Sequence, residues 1–216
     1  MVLERLRLDG SPRKVAIVTG GGRGLGKAMA IALAEAGADV CIASRTRAQL
    51  EEAAAEIHTA SGREPLIVPT DVRVREQCDA LILRTVEHFG RLDIMLNNAG
   101  IGDRRGAGSR IQDLDDADWQ DTIEVNLYST FYCSRAAVRQ LLKQGTGGVI
   151  VNVASGTALR SSPQSIAYAA AKAGVISLTK SMAAQLVGED IRVNSIIPGF
   201  VAQSPAQSEE EAALRA

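Results

Sequence analysis

The chain has 216 residues, of which 46% are hydrophobic and 23% are charged, and its formal net charge at pH 7 is −1. This balanced charge excludes the basic footprint of a nucleic-acid or membrane-surface protein, and no apolar run is long enough to span a membrane. The first nine residues carry two acids among few apolar side chains, unlike a signal peptide. We therefore expect one soluble, cytoplasmic domain over residues 1–216.

Strand and helix patterns alternate along the whole chain. Apolar, β-branched runs predict strands at 14–19, 39–43, 65–69, 92–96, 148–153 and 191–196. Helices are predicted between them at 24–37, 46–60, 73–89, about 116–143 and 164–187. Such alternation is typical of an α/β protein with a single doubly wound, Rossmann-type parallel sheet and helices on both faces.

A glycine-rich loop joins the first predicted strand to the first predicted helix. The run from Thr19 to Gly26 holds five glycines in eight residues. Glycine lets the backbone approach a pyrophosphate, and the N-terminus of the following helix presents free N–H groups to it. The loop therefore predicts a dinucleotide site, and a glycine loop without a ligand is the alternative. Its predicted contacts are Gly20, Gly22, Arg23, Gly24, Leu25 and Gly26.

The end of the second strand indicates which dinucleotide would bind. NAD sites usually place Asp or Glu there for the ribose hydroxyls, whereas NADP sites use Arg for the 2′-phosphate. Here Ser44 and Arg45 occupy that end, and Asp39 lies at the start of the strand, pointing away from the ribose. Arg23 would supply a second guanidinium. We therefore predict NADP(H). NAD(H) is the alternative, and it would leave Arg45 without a phosphate to bind. Each Arg alone also fits a solvated surface charge.

Tyr168, Lys172 and Ser155 form the most informative constellation of the chain. The helix predicted at 164–187 places Tyr168 and Lys172 on one face. An ammonium beside a phenol pulls the phenol pKa down from ~10, which suits a general acid or base. Ser155 follows the strand at 148–153, where its hydroxyl would donate to a substrate oxygen. A surface Tyr–Lys pair and an ordinary turn Ser are the alternatives.

These motifs, taken together, resemble those of the short-chain dehydrogenase/reductase family from residue 14 to about residue 200. Thr19 to Gly26 is similar to the family pattern TGxxxGxG, and Asn97 to Gly100 resembles the motif at its fourth strand. The resemblance adds cofactor contacts at Asp71, Val72, Asn98, Ala99, Gly100, Tyr168, Lys172, Pro198, Gly199 and Val201. It also implies four catalytic positions, which are Asn126, Ser155, Tyr168 and Lys172.

What the resemblance implies is an NADP(H)-dependent oxidoreductase (EC 1.1.1.-) acting on a small-molecule carbonyl or alcohol, similar to 3-oxoacyl-carrier-protein reductases or to sugar and steroid dehydrogenases. Tyr168 would protonate the carbonyl oxygen, and Lys172 would lower its pKa and bind the nicotinamide ribose. Ser155 would orient the substrate oxygen, and Asn126 would hold a water linking Lys172 to solvent. No metal is expected, because the three cysteines lack metal-site spacing, and we expect them to be reduced thiols.

The C-terminal part departs from the family. Gln203 stands where the family often has a carboxamide-contacting Thr, a contact that Gln203 or Ser204 would replace. Residues 207–216 are predicted to begin a covering helix with Ser208 as N-cap, and the usual last helix and strand are expected to be missing. If the protein ends there, the sixth strand would be an unpaired edge; if the protein continues beyond these residues, the enzyme would be whole. The alternative function is therefore a truncated dinucleotide-binding protein with little or no turnover.

Two further expectations concern partners. Apolar residues at 119–142 and 176–186 exceed one packing stripe, and the resemblance implies a four-helix interface and hence a homodimer or homotetramer. Packing of these faces on the sheet is the alternative. The residues singled out are Leu127, Phe131, Val138, Leu141 and Leu142. Arg104 and Arg105 would favour an anionic substrate, or they would form a solvated loop.

Overall fold

The structure is a computed structural model of the chain, and it describes residues 8–102 and 110–199. Six parallel strands form one sheet in the order β3-β2-β1-β4-β5-β6. They are β1 (Val15–Thr19), β2 (Asp39–Ser44), β3 (Leu66–Pro69), β4 (Ile94–Asn97), β5 (Gly148–Val153) and β6 (Ile191–Ile196). The strand order reverses between the neighbours β1 and β4, and this switch point opens a crevice at the carboxyl edge of the sheet. The predicted fold class is therefore confirmed, while the single domain over 1–216 stays a prediction.

Helices connect the strands and cover both faces of the sheet. They are α1 (Gly24–Glu35), α2 (Arg47–Ser61), α3 (Arg75–Phe89), α4 (Asp116–Ile123), α5 (Ser129–Gln144) and α6 (Ile166–Gln185). Because side chains alternate along a strand, Ile17 packs into a core with α3 and α5, while Val18 packs into a second core with α1 and α2. None of the described helices is long and apolar enough to cross a bilayer.

The helix predicted at about 116–143 is not continuous. α4 ends at Ile123, a π-helical turn covers Glu124–Tyr128, and α5 follows. The Asn126 side chain explains the break, because its Nδ2 donates to the Thr122 carbonyl at 2.9 Å and to the Ile101 carbonyl at 2.8 Å. It takes the Thr122 acceptor that an α-helix would offer to a backbone N–H four residues later. The prediction of one regular helix was wrong at this turn.

Part of the apolar surface expected on α5 lies in the core. Leu141 is 1% exposed and Val138 packs against the same cluster, so neither belongs to an outer face. Leu127 lies against the backbone of α6, since a Cβ added at Gly174 would contact it. Phe131 and Leu142 do remain exposed, at 40% and 45%. The periodicity alone did not separate these two groups, because both faces of α5 carry large apolar residues.

A row of hydrogen-bonded, buried polar side chains links α5 to α6 by way of strands β4 and β5. Asn97 Nδ2 donates to Ser134 Oγ at 2.9 Å and to Asn152 Oδ1 at 2.8 Å. Asn152 Nδ2 donates in turn to Thr179 Oγ1 at 2.9 Å. All four side chains are buried, where an unmade hydrogen bond would be expensive. These bonds therefore fix α6 relative to β5, at whose carboxyl end the candidate site lies.

The cysteines agree with the expectation of reduced thiols. Cys41, Cys78 and Cys133 are all free and buried. Burial raises the pKa of the Cys41 thiol to about 12, which keeps it protonated and unreactive.

Candidate active site

The glycine loop turns sharply from β1 into α1. Gly20 and Gly24 adopt φ angles of +67° and +54°, which only glycine reaches without strain. The N–H groups of Gly20 and Gly21 both donate to the Ala43 carbonyl, at 2.7 and 3.2 Å, and tie the loop to β2. The loop thus lines the switch-point crevice with its backbone.

Thr19 and Asn98 lock this loop to the end of β4. Thr19 Oγ1 accepts from the backbone N–H groups of Asn98 and Ala99, at 3.0 and 3.1 Å. Asn98 Nδ2 donates back to the Thr19 carbonyl at 3.0 Å. These reciprocal bonds join two of the predicted cofactor motifs into one wall. Thr19 was not among the predicted site residues, although its position beside the glycine loop is a usable signal.

Gly26 is the least replaceable residue of the loop. A Cβ at this position would overlap the Gly20 carbonyl and the Asn98 side chain. We expect Gly26→Ala to lower the free energy of unfolding by about 3 kcal/mol, near the upper end of overpacking costs, because a backbone carbonyl cannot move aside. Chemical denaturation of the full chain measures this.

Gly188→Ala is the matched control, because a Cβ there meets nothing within 4 Å. That variant should stay within about 0.5 kcal/mol of the parent protein. Equal stability of the Gly26→Ala variant would show that the loop is looser than its contacts indicate.

A cavity of about 300 Å³ lies over the glycine loop. It brings together the predicted cofactor residues Gly20, Gly22, Arg23, Gly24, Leu25, Gly26, Ser44, Arg45, Asp71, Val72, Asn98, Ala99 and Gly100. Its lining also includes Thr46, Gln49, Thr70, Ile101 and Val125, which the sequence prediction missed. Asp39 lies away from it, at the start of β2, where it pairs with Arg13 and Arg63 at 3.1 and 3.4 Å.

A second cavity, of about 220 Å³, adjoins the first and shares Leu25, Asn98, Gly100 and Ile101 with it. Three predicted catalytic residues, Ser155, Tyr168 and Lys172, line this second cavity together with Pro198 and Gly199. Asn126 is buried just behind it. The remaining predictions fall on Arg104, Arg105, Val201, Gln203, Ser204 and Ser208, which lie outside the described residues.

Lys172 is a buried cation at the floor of the second cavity. It is 3% exposed, and its Nζ donates to the Val153 carbonyl at 2.8 Å. Nζ lies 5.5 Å from the centroid of the Tyr168 ring, one helical turn earlier on α6. Burial lowers the pKa of the ammonium to about 8. The site therefore contains a positive charge held against a desolvation penalty, which is common at functional sites.

Asn126 and Lys172 face a common space beside Gly100. A Cβ added at Gly100 would lie 2.7 Å from Asn126 Oδ1 and 3.4 Å from Lys172 Nζ. Asn126 Oδ1 is buried and has no hydrogen-bond partner among the described residues. A buried acceptor of this kind is normally satisfied by a water. Glycine at position 100 keeps the space between the two side chains open.

Ser155 follows β5 and begins a short 3₁₀ turn at Gly156–Ala158. Its Oγ accepts from the Thr157 hydroxyl at 3.0 Å and from the Thr157 N–H at 3.3 Å. With both acceptor positions used, the Ser155 proton is available to a group in the cavity. Thr157 was missed at the sequence level; a Thr two residues after a strand-end Ser is the local pattern that signals it.

The fold and the glycine loop at the switch point define a Rossmann-type α/β protein. A model of the short chain dehydrogenase family matches residues 14–214, and the chain belongs to this family of oxidoreductases. It is 40% identical over 189 residues to the short chain dehydrogenase/reductase astE of Aspergillus oryzae, covering 88% of this chain and 71% of that one. It is 36% identical over 189 residues to a Synechocystis 3-oxoacyl-(acyl-carrier-protein) reductase, covering 88% and 74%.

Solved structures of the same family superpose closely. A putative short-chain alcohol dehydrogenase from Sinorhizobium meliloti matches with a TM-score of 0.87 and 36% identity, over 97% of this chain and 80% of that one. Carveol dehydrogenase from Mycobacterium avium, in complex with NAD, matches with a TM-score of 0.85 and 32% identity, over 96% and 77%.

Proposed function

We propose that the protein transfers hydride between NADP(H) and a small carbonyl or alcohol substrate, with Tyr168 as general acid or base (EC 1.1.1.-). The observation that carries this proposal is the junction of two cavities. One is lined by the glycine loop, and the adjoining one is lined by Ser155, Tyr168 and Lys172. A cofactor lying in the first would reach a substrate in the second.

The residues of the first cavity fit a dinucleotide. A Cβ at Gly20 or Gly26 would collide with the loop itself or with the end of β4, so these glycines let the loop pack tightly at the start of α1, where backbone N–H groups can bind a pyrophosphate. Ser44 Oγ is buried without a hydrogen-bond partner among the described residues, as expected of a hydroxyl meant for a ligand. When bound, the cofactor would supply the hydride chemistry.

The chain's own groups would then handle the proton. In the direction of reduction, the Tyr168 hydroxyl donates to the carbonyl oxygen, which Ser155 orients by its own hydrogen bond. The nearby ammonium of Lys172 stabilises the phenolate that remains. A water between Asn126 Oδ1 and Lys172 would return the proton from solvent, and the unpartnered Oδ1 supports this role. In oxidation the same steps run in reverse.

The preference for NADP(H) is supported by Arg23 and Arg45 in the lining of the first cavity. Neither side chain makes a hydrogen bond or ion pair with another described residue, so both guanidinium groups are available to a phosphate. An NAD(H) enzyme is the second candidate, favoured by the relative from Mycobacterium avium that was solved with NAD.

Substitution of Arg45 by Gln tests this preference. We expect the Kd of NADPH to rise by about tenfold and that of NADH to stay within about twofold, because only NADPH carries the 2′-phosphate that a charge-assisted bond would hold. Fluorescence titration of the full chain with each cofactor, followed by turnover with a panel of ketones, makes the measurement.

Arg47→Gln is the matched control, because Arg47 pairs with Glu51 on the exposed side of α2 and does not line the cavity. Tighter binding of NADH than NADPH by the parent protein would decide for the NAD(H) enzyme. Cofactor binding without turnover of any ketone would decide for the dinucleotide-binding protein.

We also propose a homodimer or homotetramer in the cytoplasm. An aromatic group at the start of α5 and on the turn before it supports an interface there: exposed Tyr128 and Phe131 each contact Tyr132, with ring centroids 6.2 and 5.7 Å apart. Exposed Leu142 extends the same helix surface.

A further inference from the structure

Arg73 forms a clasp between two carboxylates beside the first cavity. Its Nε donates to Asp71 Oδ1 at 3.0 Å and its Nη2 donates to Asp71 Oδ2 at 2.6 Å. The remaining arm, Nη1, donates to Asp121 Oδ1 on α4 at 2.9 Å. All three side chains are partly buried. This is the two-point geometry in which Arg binds carboxylate most firmly.

The clasp formed by Arg73, Asp71 and Asp121 lies next to the part of the cavity that Arg45 lines. Asp71 and Arg45 both line the cavity, at the carboxyl ends of neighbouring strands β3 and β2. The pKa of Asp71 is lowered chiefly by the hydrogen bonds from Arg73, and the charge of Arg45 acts in the same direction. The Asp71 carboxylate therefore lies within electrostatic reach of both arginines, but among the described residues it forms hydrogen bonds with Arg73 alone.

We propose that Arg73 is a specificity-determining residue that masks the Asp71 carboxylate and so keeps Arg45 available for the 2′-phosphate of NADP(H). This inference rests on the proposed NADP(H) function. Arg73 acts through Asp71 and Arg45, so it is a positioning residue and not a ligand of the cofactor.

An unmasked Asp71 would weaken NADPH binding in two ways. Its carboxylate would attract the Arg45 guanidinium into an ion pair, and it would repel the negative 2′-phosphate. NADH has no phosphate at this position, so neither effect applies to it. A purely structural clasp, which only ties the loop after β3 to α4, would instead weaken both cofactors equally.

The test compares cofactor affinities of Arg73→Gln in the full chain. The expected result is an increase of about tenfold in the Kd of NADPH and of less than about twofold in that of NADH. Adding Asp71→Asn removes the unmasked charge while keeping a hydrogen-bond acceptor. The double variant should therefore restore the NADPH-to-NADH affinity ratio to within about threefold of the parent's, since any contact of Asp71 with the part common to both cofactors affects them equally.

Arg75→Gln is the matched control, since Arg75 is two residues from Arg73, pairs with the adjacent, exposed Glu76 and lies outside the cavity lining. An equal loss for both cofactors in Arg73→Gln, or no recovery in the double variant, would overturn the inference. If Arg73→Gln does not fold, Arg73→Lys decides. Lysine keeps the charge at residue 73 but cannot make the two-point contact with Asp71, so it should lower the NADPH-to-NADH affinity ratio by about two- to threefold; an unchanged ratio would contradict us.

The same titrations distinguish a failure of this inference from a failure of the proposed NADP(H) function. The affinity ratio of the parent protein reports the NADP(H) preference, whereas the change in that ratio on substituting Arg73 reports the masking of Asp71. A parent that prefers NADPH, with a ratio that Arg73→Gln leaves unchanged, would refute the role of Arg73 alone.

Discussion

Tyr168→Phe is expected to lower kcat by about 10³ to 10⁴, the upper range for loss of a general acid. The substitution removes only the hydroxyl and keeps the ring whose centroid lies 5.5 Å from Lys172 Nζ. The Kd of NADPH should rise by no more than about fivefold, because the substitution removes at most one hydrogen bond to the cofactor but the whole of the proton transfer. Initial rates and fluorescence titration on the same preparation give both quantities.

Tyr128→Phe serves as the control, since Tyr128 is exposed on the π-helical turn before α5 and does not line the second cavity. Its kcat should equal that of the parent protein. If Tyr168→Phe kept more than about a tenth of the parent kcat, a group other than Tyr168 would have to supply the proton.

Lys172→Met is expected to abolish turnover and, at the same time, to stabilise the fold. Burial lowers the pKa of Lys172 from its ordinary 10.5 to about 8. Between these values the unfolded chain holds a proton that the folded chain has released, so stability rises with pH across that window. Below pH 8 both states are protonated, and the buried charge costs the folded state up to about 3 kcal/mol.

Removing this charge should therefore raise the free energy of unfolding at pH 7 by about 1 to 3 kcal/mol, after subtracting the lost hydrogen bond to the Val153 carbonyl. The advantage should shrink as pH rises from 8 to 10.5. Denaturant titrations at pH 7 and pH 10 measure it, with exposed Lys180→Met on the same helix as the control. A less stable Lys172→Met protein at pH 7 would mean that Lys172 is held by more favourable contacts than its burial indicates.

Much of the fold could be predicted because its signals are local. β-branched runs such as Val15 to Thr19 indicate the strands, and the glycines that follow indicate a turn. The spacing of Tyr168 and Lys172 likewise predicts that both lie on one face of α6. In each case the information lies within one helical turn or one strand.

The features that escaped prediction depend on contacts between distant segments. The π-helical turn requires the Ile101 carbonyl near Asn126, and the Arg73 clasp requires Asp121, 48 residues away along the chain. Leu141 and Leu142 look alike in the sequence, yet only the packing of α5 on α3 decides that the first is buried. Periodicity reports that a helix has an apolar face, but not which neighbour will cover it.

The wide turn at Glu124–Tyr128 also constrains which insertions and deletions the protein can accept during evolution. An α-helix advances by about 100° per residue, so one extra residue in the turn sets the rotation of all of α5. Removing a single residue there would swing Cys133 and Ala137, both buried, away from the core. Single substitutions in this stretch keep the rotation of α5, whereas an insertion or a deletion changes it. Length variation among descendants of this chain would have to accumulate in the connections outside it.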